Sequence, residues 1–163
     1  MNGYIESALE ALNQRGPLHR REQLACDFLS ASVEIDSHLA PSFVMRISAV
    51  EVLAKQVDHS DHFLECAKQL ARSIDIPSLT SAECEQLRNA LLASRREGVM
   101  AAMRRVCLPL MGQDWMRDFT ALYEVRSRIV HDGVTPTGND HQKLRHLVEA
   151  LLLKMLEGAI ADS

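Results

Sequence analysis

The chain has 163 residues, of which 47% are hydrophobic and 25% charged, enough for one ordinary domain with a real core. With 18 basic against 22 acidic side chains its formal charge is -4, which excludes a general electrostatic nucleic-acid binder. The charge is unevenly spread: residues 1–94 are net -5, residues 129–163 are net -2, and residues 95–128 are net +3 with every basic side chain an Arg.

Gly and Pro are few, β-branched alternation is nearly absent, and Ala, Leu, Arg, Glu and Met recur at helical spacing. The pattern predicts an all-α up-and-down bundle of about six to seven helices. They fall at about 3–14, 19–36, 41–57, 61–74, 81–111, 114–131 and 140–161. Pro41 suits a first helical turn, Ser60 caps the fourth helix, Thr80 with Glu83 forms a capping box, and Asn139 caps the last helix. The run from Ser81 to Met111 is too long for such a bundle unless it breaks, at Gly98 or between Pro109 and Gly112. With no linker, repeat or low-complexity tract, the chain reads as one domain over 1–163, in which 1–40 is an N-terminal helical extension.

No apolar run approaches 18 residues, and the first 15 lack a basic stretch followed by a greasy one, so no membrane or secretory signal is expected. Cys26, Cys66, Cys84 and Cys107 form no C-x-x-C pair, which points to reduced, mostly buried thiols in a cytoplasm. His62 and Cys66 stand at i, i+4 behind Asp58, His59 and Asp61, but acids and Ser at a helix start are what capping requires, so no metal is assigned. His141 and His146 read as solvent-facing. The stripe Leu144, Val148, Leu151 and Met155, joined by Leu147 and Leu152, reads as core or dimer surface.

The sixth helix breaks its own pattern. With Phe119 at 0° on a helical wheel, Trp115, Leu122, Ile129, Val130 and Tyr123 fall between about 280° and about 40°, and Arg126 falls inside that arc at about 340°. Arg128 points away, at about 180°, with Glu124 as a surface partner at i-4. A guanidinium centred in an apolar face needs a reason: it pairs with a carboxylate such as Glu51, or it lines a cleft and receives an anion. Five positions on is His131, with Ser127 one turn before it and Gly133 placed to stop the helix in the left-handed region. That puts His131 at the negative end of the helix dipole, a location that suits a proton donor.

The bare R-x-x-x-x-H spacing is weakly specific, since 14 Arg and 7 His give roughly 0.6 chance matches. Its context carries more. The segment Leu122-Tyr123-Glu124-Val125-Arg126-Ser127-Arg128-Ile129-Val130-His131-Asp132-Gly133 resembles the signature helix of HEPN domains, in particular the Apea-like pattern L-Y-x-x-R-S-x-I-V-H-x-G. The likeness is close from Gln113 to Gly133, and weaker over Pro41 to Lys55 and the run through Arg95, Arg96, Arg104 and Arg105.

What the resemblance implies is a helical bundle that dimerises and joins two signature helices at a shared cleft. Active members are metal-independent endoribonucleases, often in toxin-antitoxin or phage-defence systems. Carried over, Arg126 and His131 are the catalytic pair, Ser127 and Glu51 are accessory, and Arg128, Arg104 and Arg105 hold RNA phosphates. The expected partners are a second copy, an RNA substrate and an antitoxin or regulatory protein, with no cofactor and no membrane. A catalytically silent HEPN scaffold for dimerisation or protein binding is the alternative. On one α-helix Arg126 and His131 are about 140° apart with about 7.5 Å of rise between them. Either the last turn distorts near Gly133 or two protomers complete the site.

Overall fold

The first described helix opens on His19, whose backbone N–H donates to the Glu22 carboxylate at 2.8 Å. A computed structural model of the chain describes residues 18–161, so the helix expected at 3–14 lies outside the described residues. Among them are six helices and no strand: α1 (Arg20–Glu34), α2 (Leu39–Leu53), α3 (Asp61–Ser73), α4 (Ser81–Ala93), α5 (Val99–Asp132) and α6 (Gly138–Ala161). The all-helical bundle expected from periodicity is thus observed, with no helix long and apolar enough to cross a membrane among the described residues.

The helix starts follow local hydrogen-bonding chemistry. Ser60 Oγ accepts from the Phe63 N–H at 3.2 Å, and Thr80 and Glu83 exchange the two bonds of a capping box at 3.3 and 2.7 Å. At α6 the cap is Thr137 rather than Asn139. Thr137 Oγ1 accepts from the Asp140 N–H at 3.1 Å while Asp140 accepts from the Thr137 N–H at 3.3 Å. The reciprocal pair satisfies two amides where a lone Asn would satisfy one.

The long run from Ser81 breaks twice. After α4, residues 95–97 leave the helix to bond the segment 57–59: His59 N–H donates to Arg95 O and Glu97 N–H to Val57 O, each at 3.0 Å. Arg96 and Asp58 face each other across this antiparallel bridge, joined side chain to side chain at 2.8 Å. The second break is Gly112, at φ 81° and ψ 176°, which divides α5 into segments 99–111 and 113–132. That backbone region is essentially restricted to glycine. Because a Cβ at Gly112 would meet no atom within 4 Å, the cost of Gly112→Ala is conformational alone. We expect it to destabilise by about 1–3 kcal/mol, read as a lower midpoint in thermal denaturation. Gly98→Ala, also in open space but without a positive φ, should leave the midpoint essentially unchanged.

The chain forms two units. One runs up to Lys55 and resumes at Met103; the other is Gln56–Ala102. In the first, α1 packs on α2 and α2 on α6. Its core holds Phe43, Ile47 and Val50 of α2, Met103, Cys107, Phe119 and Leu122 of α5, and Leu144, Val148 and Leu151 of α6, all buried. The Trp115 ring stacks on Phe119 at 4.9 Å and its indole N–H donates to Leu147 O at 3.1 Å, which fixes segment 113–132 against α6. The Leu144, Val148, Leu151 stripe is therefore core. In the second unit α3 and α4 pack on small buried side chains, Ala67, Ala71 and Cys84.

None of the four cysteines forms a disulfide. Burial pushes the Cys107 thiol up to about 11, and Cys84 is also buried. The thiols expected to be mostly buried divide: Cys66 is exposed on α3, about 100° around the helix from the buried Ala67, and Cys26 is partly buried.

Candidate functional site

Segment 113–132 presents its apolar arc inward through Trp115, Phe119, Leu122 and Val125, all buried. Arg126 lies where that arc meets solvent, its side chain 25% exposed. Its guanidinium carbon sits 5.8 Å from the centre of the Tyr123 ring and its Nη2 is 3.8 Å from Glu51 Oε1. That distance is an ion pair without a hydrogen bond. The same Glu51 oxygen already accepts the Tyr123 hydroxyl proton at 2.9 Å. Burial and the Glu51 carboxylate hold the Tyr123 phenol above its ordinary value, so it remains a donor to Glu51. Arg126 Nε is buried and has no hydrogen-bond partner. Both readings of this arginine thus meet in one place: Glu51 lies beside it, yet the guanidinium keeps donors for an incoming anion.

Gly133, at φ 67°, ends the helix as expected, with Val134 N–H donating to Arg128 O at 3.3 Å. His131 is exposed in the last turn and Ser127 is partly buried one turn earlier. Gly112 is the only non-helical residue inside α5, so no distortion turns His131 toward Arg126. Within one chain Arg126, Glu51 and Tyr123 are brought together, and His131 is not. Val130, counted in the inward arc, is 50% exposed, because the core ends about a turn before the helix does.

The three candidate phosphate contacts occupy different settings. Arg128 is exposed. Arg105 Nη2 donates to the Lys55 carbonyl at 2.6 Å, beyond the C-terminal end of α2. Arg104 is exposed and borders a cavity at the Gly112 elbow.

A second polar cluster was not legible in the helix pattern. Arg46 of α2 is 0% exposed; its Nη1 donates to His141 Nε2 at 2.7 Å and its Nη2 to Asp36 at 2.5 Å. Ser42 Oγ lies 2.9 Å from the same His141 nitrogen. His141 is therefore buried, 6% exposed, and not solvent-facing as its polar neighbours in α6 suggest; His146 is exposed. A guanidinium can only donate, and its closer contact is to His141 Nε2, so that nitrogen accepts and the ring is neutral. Burial, then the positive charge of Arg46, holds its pKa below the ordinary histidine value. The hydrogen bond from Arg46 holds the Asp36 carboxyl below its ordinary value. The available signal was Arg46 itself, a lone charge within the apolar run Phe43 to Val50 apart from small Ser48, the same anomaly that marks Arg126.

His62 Nε2 and Cys66 Sγ touch at 3.8 Å on α3, and among the described residues no group of three His, Cys, Asp or Glu is arranged to hold a metal ion. Comparison with protein-family models, curated proteins and solved structures gave no match.

Proposed function

We propose that the chain is a HEPN-type, metal-independent endoribonuclease whose site is completed by two copies. The observation that carries this reading is Arg126: a half-buried guanidinium with an orphaned Nε, 3.8 Å from a carboxylate already engaged by Tyr123, on the helix that also carries the exposed His131. The likeness of Leu122 to Gly133 to the family's signature helix supports the same residues.

RNA provides the nucleophile. The 2′-oxygen forms a bond to phosphorus as the bond from phosphorus to the 5′-oxygen breaks. One proton leaves the 2′-hydroxyl and one is delivered to the departing 5′-oxygen, so the protein has to move protons and stabilise the charge on the phosphoryl oxygens. His131, solvent-accessible at a helix end, is the proton-transfer group, a role contributing about 10²- to 10⁴-fold. Arg126 holds the phosphate through its donors. Glu51 and Tyr123 position that guanidinium, and Ser127 lies between the two on the helix surface. Val130 and Val134 expose apolar surface on either side of His131, which a second copy would cover. An antitoxin or regulatory partner, a cytoplasmic location and a role in phage defence accompany the family likeness.

The test is cleavage of total RNA in excess EDTA by wild type, Arg126→Ala and His131→Ala, each variant checked for folding and dimerisation. A fall of at least about 10²-fold in both variants is expected. Cleavage retained by both variants overturns the site. The Glu51 contact would also neutralise Arg126 in a non-catalytic dimerisation scaffold, and a wild type that cuts no RNA selects that reading.

A further inference from the structure

The break at Gly112 makes an elbow, and the elbow borders an open recess of about 350 Å³. Arg104 and Leu108, one turn apart, line it from segment 99–111; Gln113, Met116, Arg117 and Thr120 line it from segment 113–132. No carboxylate is among these lining side chains. Arg117 bonds Asp114 at 2.8 Å and lies 3.9 Å from Asp118, but the Arg117 side chain is largely exposed, so these pairs are worth little and exchange for a better anion. Thr120 directs its hydroxyl proton to Met116 O at 2.7 Å, leaving the oxygen lone pairs as acceptors. The site is thus a cationic recess with an apolar floor of Leu108 and Met116, suited to a phosphate with part of a sugar behind it.

Its position on the helix gives it a role. On the wheel used above, Gln113, Thr120, Ser127 and His131 fall between about 80° and about 120°, and Arg117 at about 160°, so the elbow wall and His131 share one face. From Arg117 to His131 the rise is about 21 Å, close to six nucleotides of a stacked strand at about 3.4 Å each.

We propose that this elbow is a remote phosphate subsite for the RNA strand, in which Arg104 and Arg117 grip the backbone about six nucleotides from the scissile bond. The inference rests on the ribonuclease reading for the identity of the ligand. It makes substrate choice depend on strand length and backbone rather than on base identity, because the recess offers no aromatic platform.

The probe is a pair of 5′-labelled 2′-O-methyl oligoribonucleotides, a 4-mer and a 12-mer, which cannot be cut because the nucleophile is blocked. Anisotropy titrations across a salt series should show wild type binding the 12-mer at least about tenfold more tightly than the 4-mer. Arg104→Gln/Arg117→Gln should lose that advantage, with the slope of log affinity on log salt reduced by about 1.4, two phosphate contacts on a single strand. A double variant with wild-type affinity and slope for the 12-mer overturns the elbow and leaves the ribonuclease reading standing. Failure of wild type to bind either length overturns the elbow as well. Wild type that holds the 12-mer through these arginines yet cuts no unmodified RNA in EDTA overturns the ribonuclease reading and keeps the elbow.

Discussion

Arg126→Ala protein and His131→Ala protein, each inactive alone, are expected to recover about a quarter of wild-type RNA cleavage when refolded together in equal amounts. The expectation follows from helix geometry. Segment 113–132 stays regular, so in one chain the two side chains remain about 140° apart with about 7.5 Å of rise between them. If Arg126 of one copy works with His131 of the other, random pairing makes about half the dimers mixed, and each mixed dimer contains one intact site and one doubly defective site. Against single variants reduced at least about 10²-fold, a quarter of wild type is a rise of at least about 25-fold. Rates measured on a labelled RNA in EDTA decide the matter. A mixture as inactive as its components would place both groups of each site on one chain, which the regular helix does not allow, and would sink the two-copy arrangement.

Arg46→Ala is expected to be the most destabilising single change in the described core, by about 3 kcal/mol, since it removes the partner of buried polar groups. At about 2–4 °C per kcal/mol for a chain of this size, the melting midpoint should fall by about 6–12 °C. Arg46 is the largest fully buried side chain, so its loss leaves a void and takes a hydrogen-bond donor from both His141 and Asp36. Arg46→Met, which refills much of the void, should lose less than half as much. Equal losses would show that packing contributes nothing at this site.

The same cluster sets an acid limit. His141 is held neutral by burial and by Arg46, so its folded pKa lies below its unfolded value of about 6.5. The unfolded chain therefore takes up the proton first. The stability due to the neutral ring is present in full above about pH 6.5 and is lost as pH falls through that value toward the folded pKa. Asp36, held below 3.8, stays ionised between pH 7.5 and 5 and does not confuse the measurement. Facing charges are Arg46 from α2, Asp36 from the turn after α1, and Arg145 within α6. Midpoints from pH 7.5 to 5 should fall in wild type and fall less in Arg46→Met, where one of the three lowering causes, burial, Arg46 and Arg145, is gone.

Helix identity was readable because apolar spacing repeats every three or four residues, and Thr80, Ser60 and Gly133 act through neighbours only a few positions away. Gly112 was one of the named breakpoints, while Pro109 lies within the helix before it. What spacing could not convey was partnership across the chain. Arg46 and His141 are 95 residues apart in sequence, and each looks like an isolated polar residue until the fold places one against the other. The Arg126 and Glu51 contact was legible as one of two alternatives, because a charge in an apolar arc announces its need for a partner without naming it. The elbow cavity was hidden for a related reason: its walls come from two helix segments whose relative direction depends on one glycine's backbone angles.

The Arg46 cluster also dictates an order of events during synthesis. Helices α1 and α2 emerge before α6 and carry the guanidinium with them, but the imidazole that receives it belongs to a helix made nearly a hundred residues later. Until α6 is available, Arg46 has Asp36 of its own hairpin as a partner but lacks the imidazole that completes its burial. Closure of such a distant contact costs loop entropy before any packing is gained. Completion of this unit's core therefore waits for the last helix, which supplies Leu144, Val148 and Leu151 as well as the imidazole.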